Sequence, residues 1–551
     1  MVFLEKKKKK GHIYWYATER KMVNGVVKRT WQEYLGTAEK IRECARRSKD
    51  LPHIKLKSFQ YGKTAALLAV SDELNFVETV NKHTNKKKIE GLTVGEYLLL
   101  NIIGRGDGAL SENALQKWFN KSTLSTLWKF PHQLSCQNFL NHYKYIDQET
   151  SRKIEDDLCA ALIEMGLTPQ LLFLDESNWF TYIEKGEEIP QKGKSKQFRY
   201  DKNLISVGLA VSEDNVPFMH ETYEGNTHDS KIFPRLLDTL TERLRNLEIT
   251  TKNLVLVFDK GNNSEVNIND VLSDMHIVAS AKPDQARDLL RIPLDKYKYL
   301  YTNSKGHKIY GYRTQYEFFG REFTTVVAYS DASHKKQMGS YEKRKSKILD
   351  KFADLKRRLG SNRGKERDAS SVEREVNEII HKDFRAIIGY KIGEVPEGKK
   401  KPALVYWIKD AEKERYDGFG KMVIFTDKDR WHSEKIVKTY NKKSLVEDDF
   451  KLLNDVLLVP IGPVNHHKDD NIRVHTFLCV TGLIFYRYLA YRCKHFHISL
   501  KRLVEELSGI RIALAENKAK SGKIELVVEE MDSTQARLFS HLNLGKFITA
   551  G

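Results

Sequence analysis

Apolar residues along this chain change their spacing several times, and the changes divide it into segments. Residues 12–34 predict a β-hairpin: His12–Ala17 and Val26–Tyr34 carry aromatic and β-branched side chains, with the turn dipeptide Asn24-Gly25 between them. From 60 to 167 the spacing is helical, with apolar residues three and four apart in Ala65–Leu74, Val94–Ile103, Ala114–Phe119 and Ile154–Met165. From 168 short apolar runs take over. Leu171–Asp175 and Leu254–Asp259 are strands that end in an acid. Leu204–Val211 and Val216–Thr222 are strands joined by a polar turn at Glu213-Asp214-Asn215. Lys231–Leu247 is an amphipathic helix, Ser264–Asp274 a shorter one, and His276–Ala281 a fifth strand.

Three strands followed by alternating helix and strand is the order of a ribonuclease-H-like α/β core with a mixed five-stranded sheet. The predicted fold is therefore a core in two parts, 168–282 and 431–499, interrupted by an insertion at 283–430. An N-terminal β-hairpin region (1–59) and a helical domain (60–167) precede it, and a tail (500–551) follows. The insertion holds strands at Tyr297–Ser304, His307–Thr314, Phe323–Tyr329, Ala403–Lys409 and Lys421–Thr426. Between them Lys335–Arg367 has thirteen Lys and Arg against four Asp and Glu. Apolar stripes there (Ile348, Leu349, Phe352, Leu355, Leu359, then Val372, Val376, Ile379, Ile380) predict two charged helices able to pair as a hairpin.

Composition narrows the class. The chain has 551 residues, 40% hydrophobic, with a formal net charge of +19. That length spans several domains with proper cores, and the charge makes nucleic acid the leading partner. Five scattered cysteines without CxxC spacing disfavour a disulfide framework and a zinc module. The longest uncharged, mostly apolar stretch, Thr476–Tyr486, is 11 residues, short of the ~20 a membrane span needs. No apolar run follows Lys6–Lys10 to make a secretion signal. A cytoplasmic, nucleoid-associated protein is expected.

Candidate chemistry begins with Asp175 and Asp259. A carboxylate at the end of a buried strand costs desolvation unless a cation or donors face it. Either one alone serves equally as a turn former or cap; two on neighbouring strands point to divalent metal. The helix predicted over 433–454, with Ser433 as N-cap, supplies a third acid. Tyr440, Lys443, Glu447 and Asn454 fall within roughly 60° of one face. A phenol, an ammonium and a carboxylate on one stripe suit a DNA phosphate beside a metal centre. The plain alternative is an amphipathic helix with a Lys443/Glu447 pair. Asp229, Asp448 and Asp449 are rival acids, and His466-His467 reads as a solvated loop pair.

Here the residues resemble a family, the DDE transposases of the insertion-sequence-four superfamily, most closely its sixteen-thirty-four-like branch. Its signature Y-x2-R-x3-E-x6-K is matched at Tyr440 and Glu447, conservatively at Lys443, and not at Asn454, where Lys451 would supply part of the missing charge. Glu224-Gly225-Asn226-Thr227-His228-Asp229-Ser230, Asp259-Lys260-Gly261-Asn262, Tyr416-Asp417-Gly418-Phe419, Ile472-Arg473-Val474-His475 and Leu92-Thr93-Val94-Gly95-Glu96 are similar to its other segments. The resemblance implies a triad of Asp175, Asp259 and Glu447 binding two Mg2+ ions (Mn2+ as substitute). Tyr440, Lys443, Lys451 and Asn454 would then contact DNA, and Trp407 would be a counterpart of an aromatic placed against a flipped base. It also implies cut-and-paste transposition: binding of terminal inverted repeats, then strand cleavage and transfer into target DNA by a homodimer. The hairpin and helical regions are expected to hold the element ends. An inactive DNA-binding derivative and a nuclease without strand transfer are the alternatives.

Overall fold

The computed structural model describes residues 2–23, 26–49, 54–85, 91–108, 110–128, 134–227, 229–361, 363–396, 400–517 and 524–549. The Asn24-Gly25 turn and His228 lie outside them. The N-terminal strands are β1 (Val2–Lys9), β2 (His12–Val23), β3 (Val26–Gly36) and β4 (Ile54–Gln60). The middle of the chain holds β5 (Leu171–Thr181), β6 (Gln191–Lys192), β7 (Asn203–Ser212), β8 (Pro217–Glu224), β9 (Val255–Phe258) and β10 (His276–Ser280). Then come β11 (Lys298–Thr302), β12 (Lys308–Phe318), β13 (Arg321–Ser330), β14 (Ile388–Ile392), β15 (Leu404–Ile408) and β16 (Lys421–Thr426). The last two are β17 (Arg511–Asn517) and β18 (Ile524–Val528).

Two compact units emerge. One joins residues 1–65, 121–127 and 504–551. It contains the antiparallel sheet β1-β2-β3 and a second sheet, β18-β17-β4. The expected hairpin β2/β3 is present, and the lysine run adds a third strand, with Lys6 opposite Trp15 and Lys8 opposite Ile13. The tail is not a separate segment: β17 pairs with β4 along its whole length.

The other unit, residues 66–120 and 128–503, is built on a ten-stranded mixed sheet in the order β11-β12-β13-β16-β10-β9-β5-β7-β6, with β8 also on β7. The expectation of five strands is corrected. β11, β12, β13 and β16 extend the sheet through β10, because Val278–Ser280 present a free antiparallel edge to Ile424–Thr426. Within it the run β8-β7-β5-β9-β10 pairs antiparallel, antiparallel, parallel, parallel. The strands β5, β7 and β9 are buried through most of their length, as two-sided coverage requires.

The two faces of β5 are assigned by packing. Glu176 lies opposite Gly208 of β7, and a Cβ on Gly208 would fall 2.7 Å from Leu236 of the helix Asp229–Asn246. Glu176 therefore faces that helix, and the alternation of a strand turns Asp175 to the opposite face. The helix Ser444–Leu452 packs on β5 and β7, and Ser433–Asn441 on β10, β13 and β16. The charged helices Asp331–Gly360 and Ala369–Ile379 do pair, around Ile348, Phe352, Leu355, Leu359, Val372 and Val376. No helix among the described residues is long and apolar enough to cross a membrane.

Candidate active site

Asp175 is not at the end of its own strand, since β5 continues to Thr181 against β7. What ends is its parallel partner. β5 and β9 pair through Leu174 and Phe258, and β9 stops there. Asp175 and Asp259 are the next residues on each strand. Asp259 then leads into the 3-10 turn Lys260–Asn262, so its carboxylate stands at the strand's C-terminal edge.

Lys443 joins them. Its Nζ lies 3.1 Å from Asp259 Oδ1 and 3.7 Å from Asp175 Oδ2. The Lys443 and Asp175 side chains are 12% and 15% exposed, Asp259 42%. Burial holds the Asp175 carboxyl above its ordinary range, against the pull of Lys443 and Lys196, and the Asp259 charge adds to the rise. Burial also penalises Asp259, but Lys443 beside it, the hydrogen bond from Lys443 and the neighbouring Lys260 together hold it below the ordinary range. The difference follows first from burial, since Asp175 is the more enclosed, and then from distance, since the ammonium sits closer to Asp259. Burial disfavours the charged Lys443, and the two carboxylates outweigh it and raise its pKa. Tyr440 is buried one turn earlier, its hydroxyl 2.6 Å from Ser280 Oγ at the end of β10, and burial raises it.

The single helix expected over 433–454 is two. Ser433–Asn441, capped by His432 and not by Ser433, ends in a tight turn at Lys442-Lys443, and Ser444–Leu452 follows. Glu447 is exposed in the first turn of the second helix. Among the described residues no group of three His, Cys, Asp or Glu side chains is placed to hold a metal ion. Asp175 and Asp259 are brought together with Lys443 and Tyr440; Glu447 stands apart. Lys451 is an exposed partner of Asp448 at 2.6 Å. Asn454 lies beyond the helix, exposed at the surface but held by hydrogen bonds: its Oδ1 accepts from Trp179 Nε1 at 2.8 Å and Gln197 Nε2 at 3.1 Å, and its Nδ2 donates to the Phe450 carbonyl. It does not share the helix stripe on which it was predicted.

The rival acids have other roles. Asp449 is fully buried against Arg487 at 2.5 Å, and burial pushes its carboxyl up to about 7. Asp229 opens its helix, and its side chain is outside the described residues. His466 is not solvated as expected. Its side chain is 10% exposed, with Nε2 3.4 Å from Glu112. Trp407 is half-exposed on β15, packed over Gly389 of β14.

Residues not singled out by sequence complete the surroundings. Buried Glu176 accepts from Asn262 Nδ2 at 3.0 Å, tying β5 to the turn after β9. Lys196 Nζ donates to the Glu176 carbonyl. Its loop was overlooked because 182–202 holds no periodic element, although the run Lys192-Gly193-Lys194-Ser195-Lys196-Gln197-Phe198-Arg199 is visibly basic and aromatic.

Two carboxylates side by side, one within β5 and one just past the end of β9, are hard oxygen donors of the kind Mg2+ takes, and an ammonium between them marks the place as one built for positive charge. The aspartate pair thus supplies the donor chemistry a divalent ion takes, with the Lys443 ammonium now in its place. Compared with known proteins, the chain matches no family model and no curated sequence.

Proposed function

We infer that this protein is a DNA-cleaving and strand-transferring enzyme of the DDE transposase type, acting on the ends of a mobile element. The observation that carries the reading is the side-by-side placement of Asp175, within β5, and Asp259, just past the C-terminal end of β9, around one cation. The strand order β8-β7-β5-β9-β10, with its two antiparallel and two parallel pairings, supports a ribonuclease-H-like core around that pair. Asp175 and Asp259 would hold Mg2+, and Glu447, the third acid that the resemblance implies, stands apart from them here and would have to join them when DNA is bound. A bound divalent ion there supplies activation of water or a 3′-hydroxyl and stabilisation of the leaving oxygen. Tyr440 and Lys443 orient the scissile phosphate, through the phenol and the ammonium.

A second reading is favoured by the exposure of Glu447 away from the aspartates: a DNA-binding derivative that no longer cuts. The test is incubation of the purified chain with labelled DNA carrying the element's terminal repeats and Mg2+, beside Asp175→Ala and Glu447→Ala. Cleaved and joined products lost in both variants support the enzyme. Binding without cleavage supports the derivative, and cleavage without joining a nuclease.

A further inference from the structure

Loop 192–202 leaves β6 and returns to β7 directly beside the aspartate pair. Five of its eleven residues are Lys or Arg and one is acidic, a net charge of +4. The loop is well ordered by hydrogen bonds. Ser195, buried, accepts through Oγ from the backbone N–H of Gln197 at 3.2 Å and of Arg199 at 3.0 Å. Asn178 of β5 donates to the Lys194 carbonyl and accepts from the Lys196 N–H. Gln197 accepts from the Phe180 N–H and donates to Asn454. Lys196 reaches the carbonyl of Glu176, the residue after Asp175.

This rigid frame exposes large rings. Phe198 is 80% exposed and Tyr200 62%, and Tyr182 beside the loop is 56% exposed. Two neighbouring rings carry cations: the Arg199 guanidinium, paired with Asp201 at 2.9 and 3.0 Å, lies 4.7 Å from the Phe180 ring centroid, and Lys202 Nζ lies 5.3 Å from that of Tyr182, while the Phe198 and Tyr200 rings stand exposed. Phe198 also has φ +60°, a left-handed conformation that is costly for a bulky side chain. Such strain persists where the surroundings impose it, and it concentrates at ligand clamps. Bare ring faces interleaved with cations are the chemistry that holds unpaired nucleotides, whose bases expose a π-face that a stacked duplex hides.

We propose that loop 192–202 holds an unpaired DNA strand next to the Asp175–Asp259 site, with Phe198 stacked on a base and Lys194 on a flanking phosphate. The inference rests on the proposed action on DNA and adds to it the form of DNA bound. The loop's positive charge on an already basic chain opposes a second copy as the occupant.

The experiment uses the full chain in EDTA, so that cleavage plays no part. Fluorescence anisotropy compares a labelled duplex bearing a short unpaired overhang with a blunt duplex of the same length, and 2-aminopurine in the overhang reports stacking. Phe198→Asn deletes the ring while keeping a residue that tolerates positive φ. It should weaken overhang binding roughly 5- to 100-fold, abolish the 2-aminopurine quenching, and leave blunt-duplex affinity within about twofold. Phe198→Trp should retain both signals. Thermal stability of Phe198→Asn should equal or exceed wild type. Equal affinities of Phe198→Asn and wild type for the overhang would overturn the proposal. So would the same Phe198 dependence with RNA or with phosphatidylserine vesicles, or a Phe198-dependent self-association. Cleavage of element ends with no effect of Phe198 leaves the enzyme reading standing and removes this one; the reverse result removes only the enzyme.

Discussion

Asp175 and Asp259 occupy equivalent steps on two parallel strands, one residue past the last paired positions, Leu174 and Phe258. Parallel register thus sets two carboxylates side by side, although 84 residues separate them along the chain. They share a single ammonium, that of Lys443, which approaches Asp259 more closely. Like charges held together in a partly desolvated place raise one another's pKa unless a cation intervenes. The two aspartates accordingly have opposite effects on stability.

The pH dependence follows from those directions. Asp259 is depressed, so its stabilisation is present above the ordinary carboxylate range and lost as pH falls through its folded value. Asp175 is raised, so its contribution is full below the ordinary range and lost as pH rises through its folded value. At pH 7 Asp175→Asn is expected to match or exceed wild type in Tm, and Asp259→Asn to fall below it. Thermal melts across pH 3 to 8 read both, and a lower Tm for Asp175→Asn than for Asp259→Asn at neutral pH would contradict the assignment.

Removing the shared cation exposes the repulsion. Lys443→Met should lose about 1–3 kcal/mol, less than for a fully buried pair because Asp259 is part-exposed. Millimolar Mg2+ or Ca2+ should restore more stability to this variant than it adds to wild type. Denaturant unfolding with and without the ion measures the difference, and an equal response of the two proteins would argue against a cation site.

Asn454 stands where the family resemblance would put a lysine. Its oxygen is the acceptor for the buried Trp179 indole N–H. Asn454→Lys offers no acceptor there, so it should destabilise by about 1–3 kcal/mol, as an orphaned buried donor does. Urea titration checks this. A variant as stable as wild type, with tighter DNA binding, would instead restore the DNA-facing role.

Away from the site, Glu155 and Arg243 form a buried pair at 2.6 Å, with Asp156 also on Arg243 and His220 on Glu155. Arg243→Leu leaves Glu155 with His220 alone and takes the guanidinium from Asp156, and should cost about 3–5 kcal/mol. The double variant Arg243→Leu/Glu155→Leu should recover much of that loss. Unfolding free energies of the single and double variants decide it.

Strands and helices with strong apolar periodicity were legible in the sequence, including β5, β7, β9, β10 and the helix Asp229–Asn246, as was the meeting of Asp175 and Asp259. What escaped depends on partners distant in sequence. Lys6–Lys9 have no strand pattern, yet β2 offers backbone partners and Lys7 lies over the Tyr16 ring. The edge of β10 that receives β16, and through it β13, β12 and β11, has no signature in any one segment. The turn at Lys442-Lys443 interrupts a pattern that reads as one helix, and with it the common face of Glu447 and Asn454 dissolves. His466 is a loop residue as expected, but it reads as solvated because its partner, Glu112, lies more than three hundred residues away.

The most direct test is single-turnover nicking of terminal-repeat DNA in Mg2+ by wild type, Asp175→Asn and Asp259→Asn, with DNA affinity measured in parallel. The expected result is a loss of rate of about a thousandfold or more in each variant while binding is kept, as loss of a ligand to a catalytic metal entails. Nicking at the wild-type rate by either variant would contradict the assignment of this aspartate pair as the catalytic centre.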